Sequence, residues 1–391
     1  MKKSFSGFYS PSNTKIKNAW KHEKTLFVFD TNVLLNLYSY TEDARDDFFK
    51  ILDRISDNIW LPHHVGLEYQ RNRLEIIKNE KGIFKKLNED IARIKKTIES
   101  NEKSKELQES MKKPLEDLTN IVNVWNDKQP EVRSGDKIRP KIEESFNDKI
   151  GVPFLKQEEL DKIYKDGEKR YKNEIPPGFK DAKDKKDKPS FSYGGLNYVP
   201  MYGDLIIWNQ IIEHAKKDDI KSVFLITDDT KEDWWYIIDS SGKKRIGVRA
   251  ELREEIEREA KISLFDVMTT SSFMEDGKKY LELDVSYESI EEVEDKSNYF
   301  INLKKIQSLQ DERDRLKSFQ DSNIHSKLAR AISSTQDFNE RKEELFDKVK
   351  NARLEEQLSS YQFPPNIDKR ISDNIIRINK ELEDRIKNTL F

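Results

Sequence analysis

FVFDTN, residues 27–32, runs an apolar stretch (Leu26-Phe27-Val28-Phe29) straight into a carboxylate. A continuous apolar run of this kind predicts a strand covered on both faces, the mark of a parallel sheet. Asp30 sits where that strand stops, and Thr31 and Asn32 open the next segment. A bare carboxylate at this place is either a helix cap or a working part of a site.

Working outward, NIWL (58–61), stopped by Pro62, predicts a second strand, and SVFLIT (222–227) the clearest one in the chain. Residues 33–55 and 64–77 read as helical. So does 204–217, where Leu205, Trp208, Ile211, Ile212 and Ala215 form one face. Strands alternating with helices predict an α/β fold with a parallel sheet. Between the halves, Phe84, Leu87, Ile91, Ile94 and Ile98, then Met111, Leu115, Leu118, Val122 and Trp125, recur at spacings of three and four. That is the pattern of an antiparallel helical hairpin with a narrow apolar seam, read as an insertion over about 80–170. Residues 129–151 are polar, and 173–203, rich in Pro, Gly and Lys, are expected to form a loop. The α/β domain is placed at 20–280. A charged C-terminal helical extension is placed at 285–391, its last helix marked by Ile371, Ile375, Ile378, Leu382 and Ile386 beyond a break at FPP (363–365).

The 391 residues suffice for two or three domains. Hydrophobic residues are 35%, charged residues 37% and mean hydropathy −0.88, a balance that implies solvated helices beside a core. The net charge of −3 argues against a globally basic nucleic-acid binder but leaves local basic patches open. The absence of cysteine excludes disulfides, thiolate zinc sites and a cysteine nucleophile, and fits the cytoplasm. MKKSFSGFYS lacks the apolar core of a secretory signal, and no apolar run approaches the roughly 20 residues that span a bilayer.

Asp30 ends one strand; Asp228 and Asp229 end another. Ligands of open parallel sheets sit at the carboxyl ends of the strands, so these acids are candidates for one mouth. Glu68, early in the helix after the second strand, and Asp204, at the start of the helix before the third, can reach it. Converging carboxylates repel, and a divalent cation is the usual offset. Two such ions serve phosphodiester hydrolysis. Each acid also has an ordinary reading: Asp30, Thr31, Asn32, Asp204, Asp228, Asp229 or Thr230 can cap helices, and Glu68 can be a surface acid.

The order FVFDTNVLLNLY (27–38), LPHHVGLEYQRNR (61–73), PPGFKDAKDK (176–185), YGDLIIWNQII (202–212) and VFLITDDTKEDWW (223–235) resembles the PIN-like nucleases, in their bacterial branch with a long insertion. The resemblance covers about residues 20–275, interrupted by the hairpin. It implies a Rossmann-like parallel sheet in a PIN-like α/β/α fold and Mg²⁺- or Mn²⁺-dependent cleavage of nucleic acid, RNA before DNA. The family's acidic positions fall on Asp30, Glu68, Asp204 and Asp228, which the resemblance makes catalytic and metal-binding, with Asp229 a further ligand and Asp181 a further acid in a matching motif. Bacterial nucleases of this kind often serve as toxins or in phage defence.

A polyanion needs cations around such a pocket. Arg71 and Arg73 follow Glu68, with Arg71 on nearly the same helical face. Lys183 and Lys185 lie with Lys180, Lys186 and Lys188 on the Pro/Gly loop, and Lys243, Lys244, Arg245 and Arg249 form another group. Arg71, Asp181, Lys183 and Lys185 are the candidate substrate contacts. Asn32 can touch substrate, hydrogen-bond Asp30 or cap the helix. Trp234 and Trp235 are expected to pack in the core from a helix, and His63 and His64, being adjacent, are not expected to share a metal. A haloacid-dehalogenase-like phosphatase wants a second Asp where Asn32 stands, and no P-loop motif is present. A non-catalytic module with structural acids is the rival from another class. The narrow seams of hairpin and tail suggest a homo-oligomer or a partner protein.

Overall fold

The structure is a computed structural model describing residues 1, 4–100, 105–130, 135–217, 219–240 and 243–298. In chain order its strands are β1 (Thr25–Phe29), β2 (Ile59–Trp60), β3 (Phe191–Tyr193), β4 (Leu196–Tyr198), β5 (Ser222–Ile226), β6 (Trp235–Asp239), β7 (Lys243–Val248) and β8 (Leu264–Met268). The helices are α1 (Asn13–Trp20), α2 (Thr31–Asn36), α3 (Glu42–Arg54), α4 (His63–Glu99), α5 (Lys105–Lys128), α6 (Ile138–Ser145), α7 (Gln157–Lys172), α8 (Asp181–Lys185), α9 (Gly203–Lys217), α10 (Ala250–Ala260) and α11 (Thr270–Leu281).

The central sheet is parallel throughout, in the order β2-β1-β5-β8. Every residue of β1 and β5 is buried, as their unbroken apolar runs require. Phe27 stands in register with Phe224, and their rings stack at 5.2 Å. With Phe29 they point to one face, where Phe273 of α11, Trp20 of α1 and Phe48 of α3 pack. Phe265 lies one residue out of phase and points to the other face, where Trp208 of α9 meets it at 5.3 Å. The result is an α/β/α sandwich. β8 went unread in the sequence because Asp266 interrupts its run; that side chain turns to Arg253, 3.5 Å away.

α4 is a single helix of 37 residues, about 55 Å long at 1.5 Å per residue, so it carries residues from the sheet edge far out of the core. α5 returns antiparallel: Asn88 bonds Asn123, and Gln108 bonds the Ile98 carbonyl. The hairpin has its own small core of Ile91, Leu115 and Val122, flanked by Phe84, Ile98, Met111 and Leu118. Leu87 and Ile94, expected in the seam, are exposed, since a heptad step from Phe84 through Ile91 to Ile98 already fills a two-helix contact. α6 lies in the stretch left as polar, and Ile138, Ile142 and Phe146 join the main core. The expected loop at 173–203 contains α8 and the β3–β4 hairpin, turned through Gly194 and Gly195 at positive φ.

Chain contacts divide the protein into Met1–Glu294 and Asp295–Phe391. Val285, Ile290 and Val293 are buried in the core of the first unit, and both oxygens of Glu292 hold Thr41, the cap of α3. The helix expected around Ile371–Ile386 and the FPP break lie outside the described residues. Among the described residues no helix is long and apolar enough to cross a membrane.

Candidate active site

The site forms where β1 and β5 end. Asp30 N-caps α2: its Oδ1 accepts the Thr31 amide at 2.6 Å. Its Oδ2 accepts from Asn32 Nδ2 at 2.5 Å and from Thr227 Oγ1 at 2.7 Å. Thr31 Oγ1 donates to Glu68 Oε2 at 2.9 Å, so one residue ties the first acid to the second. Glu68 also faces His64 Nε2 at 3.6 Å. Gly203 brings the first turn of α9 against this pair: a Cβ there would lie 3.0 Å from Glu68 Oε1 and 3.6 Å from His64 Nε2.

One carboxylate oxygen from each of Asp181, Asp204 and Asp229 lies within 4.8 Å of the other two, the only such group among the described residues. Asp204 Oδ2 is buried without a hydrogen-bond partner. Asp229 follows Thr227, whose Oγ1 accepts the Asp229 amide at 3.0 Å while donating to Asp30, which joins the trio to the β1 end. Glu68, Asp30, Asp181, Asp204 and Asp229 therefore form one acidic region.

Asp228 turns away from it. Its carboxylate accepts from the Thr270 amide, the Thr270 hydroxyl and Asn36 Nδ2, each at 2.9 Å, and is buried. Successive residues at a strand end point to opposite sides, so the two acids of Thr-Asp-Asp divide between fold and site. The chain after Asp229 makes a turn into β6; no helix follows for Thr230 to cap. Trp234 and Trp235 are buried as expected, but in a turn and a strand. Asp233 is wholly buried and accepts the Lys180 amide at 3.2 Å.

Two lysines enter the acids. Lys185 Nζ lies 2.5 Å from Asp181 Oδ2. Lys231 Nζ contacts Asp181 Oδ1 and lies 2.9 Å from Asp229 Oδ2. Asn32 has its amide engaged within the protein, with Nδ2 on Asp30 and Thr227 and Oδ1 accepting the Asp228 amide at 2.9 Å. Arg71 is exposed, its guanidinium 3.5 Å above the Phe191 ring. Lys183 lies on α8. Arg73 is no surface cation: it is buried against Asp136 at 2.5 Å. His64 is buried and stacks on Tyr198.

The charges set the protonation. Burial pushes Asp30 up to about 6, with Glu68 and Asp229 adding to it against the Thr227 hydrogen bond. Burial and Asp181 raise Asp204 well above the usual carboxylate range. Burial and Asp229 take Asp233 to about 6. Burial also acts upward on Asp181, but Lys185 and Lys231 outweigh it and hold that carboxyl at about 2. On Glu68, His64, Lys185 and Thr31 likewise overcome burial and leave about 2. Acids pushed apart in this way, with a buried oxygen lacking a partner, are a donor set suited to a hard divalent cation.

Thr227, Asn36 and Lys231 carry no site role in the sequence, and Thr31 and Asp233 offer themselves there only as helix caps. The signal for Lys231 is a lysine between acids in TDDTKED; Thr31 reads as an ordinary cap and Thr227 as the end of a strand.

A family model described as a PIN like domain matches residues 26–252. No curated protein and no solved structure matches the chain. PIN-like domains belong to a nuclease superfamily whose members generally depend on divalent metal ions. With the match spanning more than half of the sequence, and acids gathered at the carboxyl end of a parallel sheet, the chain belongs to the PIN-like domain family.

Proposed function

We propose that the protein is a divalent-metal-dependent nuclease acting on single strands, RNA before DNA. The observation that carries this is the convergence of one carboxylate oxygen each from Asp181, Asp204 and Asp229 within 4.8 Å, on a residue, Asp204, whose buried Oδ2 has no hydrogen-bond partner. Asp30, Asp204 and Asp229 would hold Mg²⁺ or Mn²⁺, with Glu68 at the edge of the set. Such an ion supplies a water acidic enough to attack at neutral pH and offsets charge on the leaving oxygen. Asn32 and Thr227 orient Asp30. Lys185 and Lys231 hold Asp181 and offset the charge of the acids. Asp228 acts through the fold.

Arg71, exposed one turn beyond Glu68 on α4 with its guanidinium over the Phe191 ring, is suited to a phosphate. Tyr193 on β3 and Tyr236 on β6 are 56% and 51% exposed, and unpaired bases stack on such rings, which supports a single strand. The preference for RNA, a cytoplasmic location and a toxin or phage-defence role rest on the resemblance.

The test incubates the full chain with end-labelled single-stranded RNA or DNA in Mg²⁺, Mn²⁺ or EDTA, beside Asp30→Asn. Metal-dependent cutting should fall by at least about a hundredfold in the variant. A variant as active as wild type, or a protein that neither cuts nor binds Mn²⁺ by calorimetry, would overturn the proposal in favour of a non-catalytic module.

A further inference from the structure

The acidic region carries a cation of its own. Lys231 places one ammonium against Asp181 Oδ1 and Asp229 Oδ2, two of the three converging carboxylates. Lys185 takes the other oxygen of Asp181, so both oxygens of that residue face an ammonium. Asp229 is committed to Lys231 twice, since its Oδ1 also accepts the Lys231 amide at 3.0 Å. The Lys231 backbone is fixed, because its carbonyl accepts the amides of Trp234 and Trp235 at 3.2 and 3.1 Å. Its side chain is about one-third exposed at 32%, with four rotatable methylenes and solvent to turn toward.

A divalent ion held by Asp204 and Asp229 meets this ammonium on a shared carboxylate. Like charges at such separation repel strongly in a partly dry site. Lys185 can stay on Asp181, which it reaches within its own helix at i, i+4. Lys231 straddles Asp181 and Asp229, so it is the group that must move.

We propose that Lys231 is a built-in competitor for the divalent ion: it holds Asp229 until an ion displaces it, and so sets the ion concentration at which the site fills. The inference rests on the metal-dependent reading above. It makes Lys231 a positioning and regulating residue, and it assigns Asp181 the role of keeping the displaced ammonium at the mouth of the site.

A purely structural lysine and a competing lysine give opposite results when removed. Titrating the full chain with MnCl₂ by calorimetry, Lys231→Met should bind about tenfold tighter than wild type, because the rival charge is gone. Lys231→Gln keeps a hydrogen-bond donor on the carboxylates and loses only the charge; it too should bind tighter, and it serves where the methionine variant fails to fold. Lys231→Arg keeps the charge and should bind no tighter than wild type. The Mn²⁺-induced rise in Tm should be larger in Lys231→Gln than in wild type, since its EDTA-treated form has lost a counter-charge. Unchanged or weaker Mn²⁺ binding by both neutral variants, with wild type binding normally, would overturn the inference and leave the nuclease proposal standing. Absence of Mn²⁺ binding in wild type and variants alike would instead remove the metal-dependent reading itself.

Discussion

Asp30 uses its two oxygens differently. Oδ1 caps α2, while Oδ2 joins the Asn32–Thr227 arrangement beside Glu68 and Asp229. Capping and site chemistry are therefore compatible in one residue, because a helix N-terminus and the carboxyl end of a strand are the same place. Burial and like charge raise both Asp30 and Asp204. An acid whose folded pKa is raised stabilises the fold at low pH, and that stability is lost as pH rises through the folded value, about 6 for Asp30. Protons and metal then compete, so Mn²⁺ affinity should climb between pH 5 and 7. Calorimetry in buffers of different ionisation enthalpy should show net proton release on binding. Asp204→Asn should raise the Tm of EDTA-treated protein by a few degrees, each 1 kcal/mol of relief being worth about 2–4 °C at this domain size, and should erase the shift produced by Mn²⁺. A variant that still shifts would show that the ion binds elsewhere.

At the scale of elements, the two acids closing β5 separate function from folding. Asp228 holds the start of α11 and the end of α2 through three hydrogen bonds. Asp228→Ala leaves buried donors unpaired and should cost about 1–3 kcal/mol of stability by urea denaturation. Asp229→Ala loses its two bonds to Lys231 but also relieves repulsion among the acids, so it should cost less stability than Asp228→Ala while abolishing Mn²⁺ binding. The opposite pattern would exchange the two roles. Gly203→Ala tests the close approach of α9: its methyl would stand 3.0 Å from Glu68 Oε1, and should weaken Mn²⁺ binding while the fold persists. The strand ends and the helix start at Asp204 were legible beforehand, since each follows or precedes an apolar pattern of fixed period. Which acid of Thr-Asp-Asp faces the site was not, because both follow the strand and only the position of Thr270 on a distant segment turns Asp228 inward.

For the whole molecule, the hairpin is the detachable part. Its core of Ile91, Leu115 and Val122 is distinct from the main core, whereas α6 and α7 contribute Ile138, Ile142, Leu160 and Ile163 to the latter. Replacing residues 84–126 with a short flexible linker should leave the cooperative unfolding of the α/β unit and its Mn²⁺ binding in place. Loss of folding would show that the hairpin supports the sheet. The segment 283–294 is the contrary case: Asp47 is buried, and there it accepts the Ser286 amide at 2.9 Å and the Ser289 hydroxyl at 2.8 Å, so Asp47→Ala should lower Tm measurably although it lies far along the chain from both.

The sequence by itself determined the parallel sheet, the hairpin and the strand-end and helix-start positions of Asp30, Glu68, Asp204 and the Asp228-Asp229 pair, because apolar runs, periodic seams and strand-end positions are local and repeat with the backbone's own geometry. Only the tertiary structure decided that Asp181 crosses from the Pro/Gly loop to meet Asp204 and Asp229, that Lys231 and Lys185 stand among them, and that Asp228 belongs to the core. Those outcomes depend on contacts between residues far apart in the chain, and charge pairing across such distances leaves no period in the sequence to read.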